Sequence, residues 1–578
     1  MPEQVDVLIA GSGFGGSITA FRLAELYHAA GANASSIMVL ERGQRYKHTE
    51  FRQSMDIGHL SDVYNLIQGQ GAQIVVANAL GGGSNLYLAA SLRSPTETFE
   101  RRDHVPGDGP DRRMWPRAIS RHSLDPYYAR VEKGLRVNRP TWNQVSKSGG
   151  LWAATLKAAG HTCDRVPVAI SPTRCVNAKW CHTGCIFGAK NSLITNYLPS
   201  AERLGVQLRT NLQVESIRQS SARPYRYIVT ATVMNNAGAN PSRQSTGATV
   251  EIECKVLVLS TGAMGNAPTL MRSQTNLPSL SSQVGQHLGV NGDHVAAIEY
   301  DPHKVREVLG LPGYAEFHKG KPITTMTYDY WVGRGDHRFD GTRFNLQEIF
   351  LSSLTNFLYD DGRDPAGDPS WWGLQKKQAV ARWANRIELL AMVEDTNDGQ
   401  FFAVPPNGGA VKPNAGPVTV GLFNYALSEQ SIRVREAANE AMAHIAKQHG
   451  LGRFMKLTET QGAYASHPLG GCRMAESADL GVVDDTGAVY GYEGLFCIDS
   501  SIIPTSLGVN PSLTIAAVSE RCADALVFRA GDLGLPHRPA GFAAGIPTEI
   551  VGERVFSFVP PESTAPRRRR RSRRRRRR

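Results

Sequence analysis

The 578-residue chain is 41% apolar and 20% charged, which excludes a charge-dominated unfolded polymer and gives enough length for two or more domains. Its net charge of +12 is not spread over a surface: eleven arginines fall in Arg567–Arg578, broken by Ser572, and the remaining chain is nearly neutral. A polyanion-binding body is thereby excluded, and eight cysteines over this length exclude a disulfide-built scaffold and point to a reducing, cytoplasmic setting.

The first strand is reached at Val5, with no charged leader and long apolar segment before it, so neither a signal peptide nor a spanning helix is expected; export in folded form stays open. The apolar run Val5–Ala10 passes into Gly11-x-Gly13-x-x-Gly16, and Ile18–Leu26 has helical spacing. Here Gly11 permits a tight turn, Gly13 lets the backbone approach a pyrophosphate and Gly16 lets helix and strand pack closely. A second strand-like run, Ser36–Leu40, ends in Glu41, whose carboxylate can accept from a ribose and disfavours a 2'-phosphate, so FAD or NAD fits better than NADP.

Residues 45–70 read as loop and short helix. Ile74–Asn85 then carries Gly81-Gly82-Gly83-Ser84, a second place for backbone to approach a cofactor. Residues 91–140, with a helix at Asp125–Leu135, form an excursion. Cys175, Cys181 and Cys185 lack the paired spacing of a zinc or cluster site and read as turn cysteines, so no metal is expected. A helix is predicted over Lys190–Leu204, followed by strands at Val206–Leu208, Gln213–Ile217 and Tyr227–Val233 and a polar turn at Asn235–Gly247. The strand Val256–Ser260 ends in Thr261-Gly262-Ala263, a return to the nucleotide fold. From 291 to 461 aromatic and β-branched runs at Thr324–Val332, Arg343–Phe350 and Val418–Tyr425 predict a mixed or antiparallel sheet, and Ser428–Gln448 a helix. Trp371 and Trp372 could line a cavity or close a core. The richest segment comes last: His467-Pro-Leu-Gly-Gly-Cys-Arg-Met474, Gly494–Asp499 and Pro504–Thr514 precede a helix at Ile515–Phe528. The arginine tail follows the proline-containing stretch Phe558–Pro566 and reads as a disordered appendage able to make weak charge contacts with nucleic acid or anionic lipid.

In their order and distances these segments resemble the glucose-methanol-choline (GMC) oxidoreductases, and within them a cholesterol-oxidase-like branch, over Val5–Phe528. The resemblance rests on Gly11-x-Gly13-x-x-Gly16 with Glu41, Leu80–Ser84, Cys185–Lys190, Ser260–Ala263, His467–Cys472 and Gly508–Pro511. It implies an α/β fold: an FAD-binding Rossmann-like domain with an inserted second, substrate domain on a mixed or antiparallel sheet. The corresponding division is FAD-binding parts at 1–100 and 191–290, a lid and connector at 101–190, a substrate domain at 291–461, a cofactor-binding and catalytic segment at 462–530, an extension at 531–566 and the tail at 567–578. It also implies dissociable FAD, because no histidine occurs from Asp62 through Glu100 to carry a covalent link. Gly11, Gly13, Phe14, Gly15, Gly16 and Glu41 would hold the ADP half, with Val214 beside adenine. Gly82, Gly83, Ser84 and Gly262 would approach the phosphates and flavin, and Asp499, Asn510, Pro511 and Thr514 would face the ribityl and isoalloxazine region.

The reaction so implied is hydride transfer from an alcohol carbon to flavin N5. His467 suits proton removal, because imidazole titrates near pH ~6.5. The Asn510 amide suits fixing the alcohol oxygen. Glu348, beside Ile349 and Phe350, stands where cholesterol oxidases carry an isomerising base, and desolvation would raise its pKa. Tyr87 replaces a flavin-adjacent asparagine of that branch. The leading expectation is a 3β-hydroxysteroid oxidase that uses oxygen and isomerises its product. The alternative is oxidation of a sugar, aminocyclitol or other polar alcohol, with oxygen or another acceptor. A remote third is a non-catalytic flavoprotein with a nucleic-acid-binding tail.

Overall fold

The computed structural model describes residues 2–54, 57–103, 112–235, 244–312, 320–334, 337–350, 381–404, 419–456 and 463–548. Trp371, Trp372, Phe558–Pro566 and the arginine tail lie outside them. Among the described residues no helix is long and apolar enough to cross a membrane.

The first sheet contains β1 (Glu3–Ala10), β2 (Ile37–Leu40), β3 (Gln207–Arg209), β4 (Leu212–Gln219), β5 (Tyr227–Asn235) and β6 (Gln244–Leu259), in the order β3-β2-β1-β6-β5-β4. Leu495–Cys497 pairs parallel to the end of β6. The β3-β2-β1-β6 portion is parallel, whereas β4 and β5 run antiparallel. In β1 the run Val7-Leu8-Ile9-Ala10 is buried on both faces, as a central parallel strand requires.

One covering layer holds helix α1 (Phe14–Ala29) against the C-terminal helix Ser512–Phe528. Arg22 and Glu520 join them by two hydrogen bonds of 2.7 Å, both side chains fully buried, and the Tyr197 hydroxyl donates to the same carboxylate at 2.9 Å. Replacing Arg22 by Met leaves the buried Glu520 carboxylate with only the Tyr197 hydroxyl and Arg130 at 3.3 Å, and urea denaturation should register a loss of ~3 kcal/mol.

The second sheet is antiparallel, as predicted for the region from 291. It contains β7 (Asp293–Tyr300), β8 (Ile323–Thr327), β9 (Phe344–Ile349), β10 (Arg386–Val393) and β11 (Gly452–Lys456), ordered β11-β7-β10-β9-β8, with Asp164–Arg165 at the β8 edge. Its two faces have separate partners. Phe344, Leu346, Leu389 and Ala391 pack with Trp152 of Lys147–Ala158 and with Val434 and Ala438 of Glu429–Lys447. Ile349, Leu390 and Met392 join the core of the nucleotide domain instead.

Three local expectations are corrected. The helix predicted over Lys190–Leu204 is a 3₁₀ turn at Leu193–Thr195 and a helix only at Tyr197–Arg203, because the Asn196 side chain accepts from the Tyr197 amide and starts a new helix there. Residues 45–70 include a strand, Tyr64–Gln68, which pairs with Ala72–Ala77. The strand predicted over Thr324–Val332 stops at Thr327, where the Asp329 carboxylate turns away to accept from the Thr162 amide and hydroxyl.

Candidate active site

The three glycines of the first turn have the separate steric tasks expected of them. A Cβ on Gly11, whose φ is +94°, would lie 2.2 Å from the Ser260 carbonyl oxygen, and one on Gly16 would lie 1.9 Å from the Gly11 oxygen. A Cβ on Gly13 would meet nothing within 4 Å. Gly13 also caps α1 without a side-chain hydrogen bond, so the first-turn amides stay open to an anion. Gly82 backs onto Gly13, where an added Cβ would come within 3.0 Å of its Cα, and Gly83 faces open space. The two glycine turns are joined by the Gly81 amide donating to Ser12 Oγ at 2.9 Å. An open cradle between crowded neighbours, at the N-terminus of α1, fits the pyrophosphate of FAD.

Glu41 lies at the end of β2 beside this turn. Its carboxylate accepts from the Ser12 amide at 3.1 Å, the Ser12 hydroxyl at 2.6 Å and the Gly43 amide at 2.9 Å. Its carbonyl receives the Leu212 amide, which places the start of β4, and buried Val214 within it, next to the same corner. Phe14 meets Tyr87 edge-on at 6.0 Å.

Several side chains expected to face cofactor are engaged within the protein. The buried Ser84 hydroxyl donates to the Gly81 carbonyl and accepts from the Leu193 amide, which closes its own turn. Asp499 accepts from the Gly262 amide at 2.6 Å, the Ser501 amide at 2.7 Å and the Asn266 side chain at 3.0 Å, and burial pushes its carboxyl up from the ordinary value. Gly15 must lack a side chain, because a Cβ would fall 1.6 Å from the Ile498 carbonyl oxygen. Pro511 caps the C-terminal helix, whose Thr514 hydroxyl is held by Ser94 at 2.8 Å and Tyr128 at 2.7 Å.

His467 and Asn510 are held by one short stretch at the start of β7. Asp293 accepts from His467 Nδ1 at 2.6 Å, which makes Nδ1 the protonated nitrogen and leaves Nε2 with its lone pair. Two residues earlier, Asn291 donates to the Val509 carbonyl at 2.9 Å and accepts from the Leu507 amide at 2.7 Å, fixing the loop that carries Asn510. Asn345 of β9 donates to the Gly508 carbonyl from the other side. Asn510 Oδ1 is buried without a partner. The arrangement can orient a hydroxyl and take its proton.

Sequence reasoning missed Asp293, Asn291 and Asn345, because each is more than 150 residues from the group it holds. It also missed the role of Lys190. This buried ammonium donates to the carbonyls of Asn85, Tyr87 and Cys181, which fixes the segment around Tyr87, and burial lowers its pKa to about 8. That last residue of the Cys185–Lys190 motif was the available signal. Among the described residues no group of histidine, cysteine or carboxylate side chains is arranged to hold a metal.

Glu348 does not join this constellation. Strand alternation turns it to the face opposite Asn345 and Gln347, where its carboxylate accepts from Ser148, from Ser146 at 3.3 Å and from Thr324 at 3.1 Å, with the Lys179 ammonium at 3.7 Å. The structure places this carboxylate in a buried ion pair with Lys179, whose ammonium lies 4.7 Å from the Phe350 ring centre. Burial lowers the Lys179 pKa, and Glu348 is the main group opposing that. In the variant Glu348→Gln, flavin reduction by alcohol should stay within about threefold of wild type, while thermal unfolding should show a loss on the order of 3 kcal/mol from the uncompensated lysine.

Comparison with known proteins gives the family. Two GMC oxidoreductase family models match residues 5–291 and 410–519. The chain is 27% identical to a cholesterol oxidase of Mycobacterium tuberculosis, covering 90% of this chain and 91% of that one, and 25% identical to a cholesterol oxidase of Acinetobacter baumannii over 89% and 93%. A long-chain-alcohol oxidase of Arabidopsis thaliana is 23% identical over 90% of this chain and 68% of its own. Among solved structures, an Aspergillus oryzae formate oxidase superposes with a TM-score of 0.58 at 14% identity, covering 92% of this chain and 99% of that one, which shows the shared fold. A pyridoxine 4-oxidase gives 0.56 at 14% identity over 90% and 99%. With its glycine cradle, its α/β nucleotide domain and its antiparallel second domain, the chain belongs to the GMC oxidoreductases, FAD-dependent enzymes acting on CH–OH groups.

Proposed function

We propose that this enzyme oxidises the carbinol of an alcohol bearing further polar groups, with His467 as base and Asn510 as the group that fixes the reacting oxygen. The observation that carries the reading is the 2.6 Å hydrogen bond from His467 Nδ1 to Asp293, beside the loop that Asn291 and Asn345 hold and that carries Asn510. Bound FAD supplies the hydride acceptor. Asp293 holds the imidazole in the tautomer whose Nε2 can receive the hydroxyl proton, and it stabilises the imidazolium that results. Asn291 and Asn345 hold the loop of Asn510, so that the Nδ2 amide group of Asn510 can donate to the alcohol oxygen as charge develops there with little reorganisation.

The polar class is favoured by the sheet face that continues from Asp293. It carries Asn345 and Gln347, and the expected isomerising carboxylate of Glu348 is turned away from it. A sterol substrate is the second reading, supported by the cholesterol oxidases to which the chain is similar. Anaerobic bleaching of the bound flavin by sterols, sugars, aminocyclitols and aliphatic alcohols tests both. Bleaching by the polar alcohols is expected. Bleaching by sterols alone would replace this reading with the second, and no bleaching by any would overturn both.

A further inference from the structure

The face of the second sheet beneath His467 can be followed row by row. Opposite residues in antiparallel strands share a face, so Asp293 on β7, Met392 on β10 and Asn345 on β9 form one row. The next row is Val295, Leu390 and Gln347. The first row is already committed: Asp293 holds His467, and Asn345 holds the loop of Asn510.

In the second row Gln347 is fully buried, and its orientation is dictated by its neighbour. The Asn345 amide must turn its nitrogen to the Gly508 carbonyl, which can only accept. Its oxygen therefore faces Gln347 and receives Gln347 Nε2 at 2.9 Å. This fixes Gln347 with Nε2 inward, and Oε1 remains buried with no partner. Asn510 Oδ1 is likewise buried and unpaired, on the loop that the same amide chain supports. Leaving such an acceptor unmet is costly, so Gln347 Oε1, in the chain that ends at the Gly508 carbonyl, and Asn510 Oδ1, two residues farther along that loop, mark a demand for donors.

A hydroxyl has one proton, and in the reaction proposed above that proton goes to His467. The reacting group therefore cannot supply lasting donors to both amide oxygens. We infer that Gln347 Oε1 accepts a hydrogen bond from a second hydroxyl or amino group on the substrate, which makes Gln347 a specificity-determining residue for polyols and amino alcohols over mono-alcohols. The inference rests on the proposed polar-alcohol reading and names the feature that such an alcohol must carry.

The test uses the FAD-loaded full chain and three probes of one ring size: cyclohexanol, trans-cyclohexane-1,2-diol and trans-2-aminocyclohexanol. Rates of anaerobic flavin bleaching are measured against probe concentration for wild type, Gln347→Met and Gln347→Glu. Wild type should favour the diol or amino alcohol over cyclohexanol by roughly tenfold or more in rate over half-saturating concentration. The methionine variant, of similar length but with no amide oxygen, should bring that ratio to within about threefold, mostly through the half-saturating concentration. The glutamate variant keeps an acceptor and should keep the preference, tilted toward the amine.

A wild-type enzyme with no preference overturns the inference, even if a variant fails to fold. So does an undiminished preference in Gln347→Met. If none of the three probes bleaches wild-type flavin but sterols do, the polar-alcohol reading has failed and the inference falls with it. Bleaching by all three probes at equal rates would remove Gln347 alone.

Discussion

Replacing His467 by Ala should lower flavin reduction by alcohol about 10³-fold, while the visible absorption of the bound flavin persists. The imidazole is the group of the constellation proposed to take the hydroxyl proton, and its ring is oriented by Asp293, which accepts from Nδ1 at 2.6 Å. Loss of that orientation should cost less than loss of the base, so Asp293→Leu should fall between wild type and His467→Ala. Stopped-flow bleaching at saturating alcohol separates these variants, because a change in substrate binding alone would leave the limiting rate intact. Equal limiting rates in His467→Ala and wild type would remove the histidine from the chemistry.

The second large effect contrasts two glycines two positions apart. Gly15→Ala places a Cβ 1.6 Å from the Ile498 carbonyl oxygen, a backbone atom between the first helix and the strand at Leu495–Cys497. No rotamer relieves that contact, and the variant should fail to accumulate as folded protein. Gly13→Ala meets no protein atom within 4 Å and has an ordinary negative φ of −66°, so its apoprotein should unfold within about 1 kcal/mol of wild type. Its added methyl group instead enters the open cradle, and FAD affinity should fall tenfold or more. Thermal unfolding of the apoproteins and flavin titration measure the two effects separately. Similar behaviour of the two variants would show that the cradle is not where FAD lies.

The nucleotide cradle was legible because its constraints are local. A strand, three glycines and a following helix define a turn whose steric tasks depend on few distant atoms, and Gly11, Gly13 and Gly16 behave accordingly. The antiparallel second sheet was legible in outline from its β-branched and aromatic runs, but which side chains each strand turns to which face was not. Phe344-Asn-Leu-Gln-Glu-Ile349 contains two adjacent polar residues, Gln347 and Glu348, and both are fully buried. Polar and apolar alternation therefore cannot tell which faces the site.

By itself the sequence determined the FAD-binding dinucleotide fold, an acidic residue, Glu41, just after its second strand, and the presence of His467 and Asn510 in the C-terminal segment. Tertiary structure alone decided the partners. Asp293 lies 174 residues from His467, and Asn345 lies 163 residues from Gly508. Ser146, Ser148 and Lys179 come from a separate part of the chain to hold Glu348 on the face opposite Asn345 and Gln347. Steric demands on a turn act between neighbours in the chain, whereas the side of a fully buried strand on which a charge can rest depends on which distant donors the fold brings there.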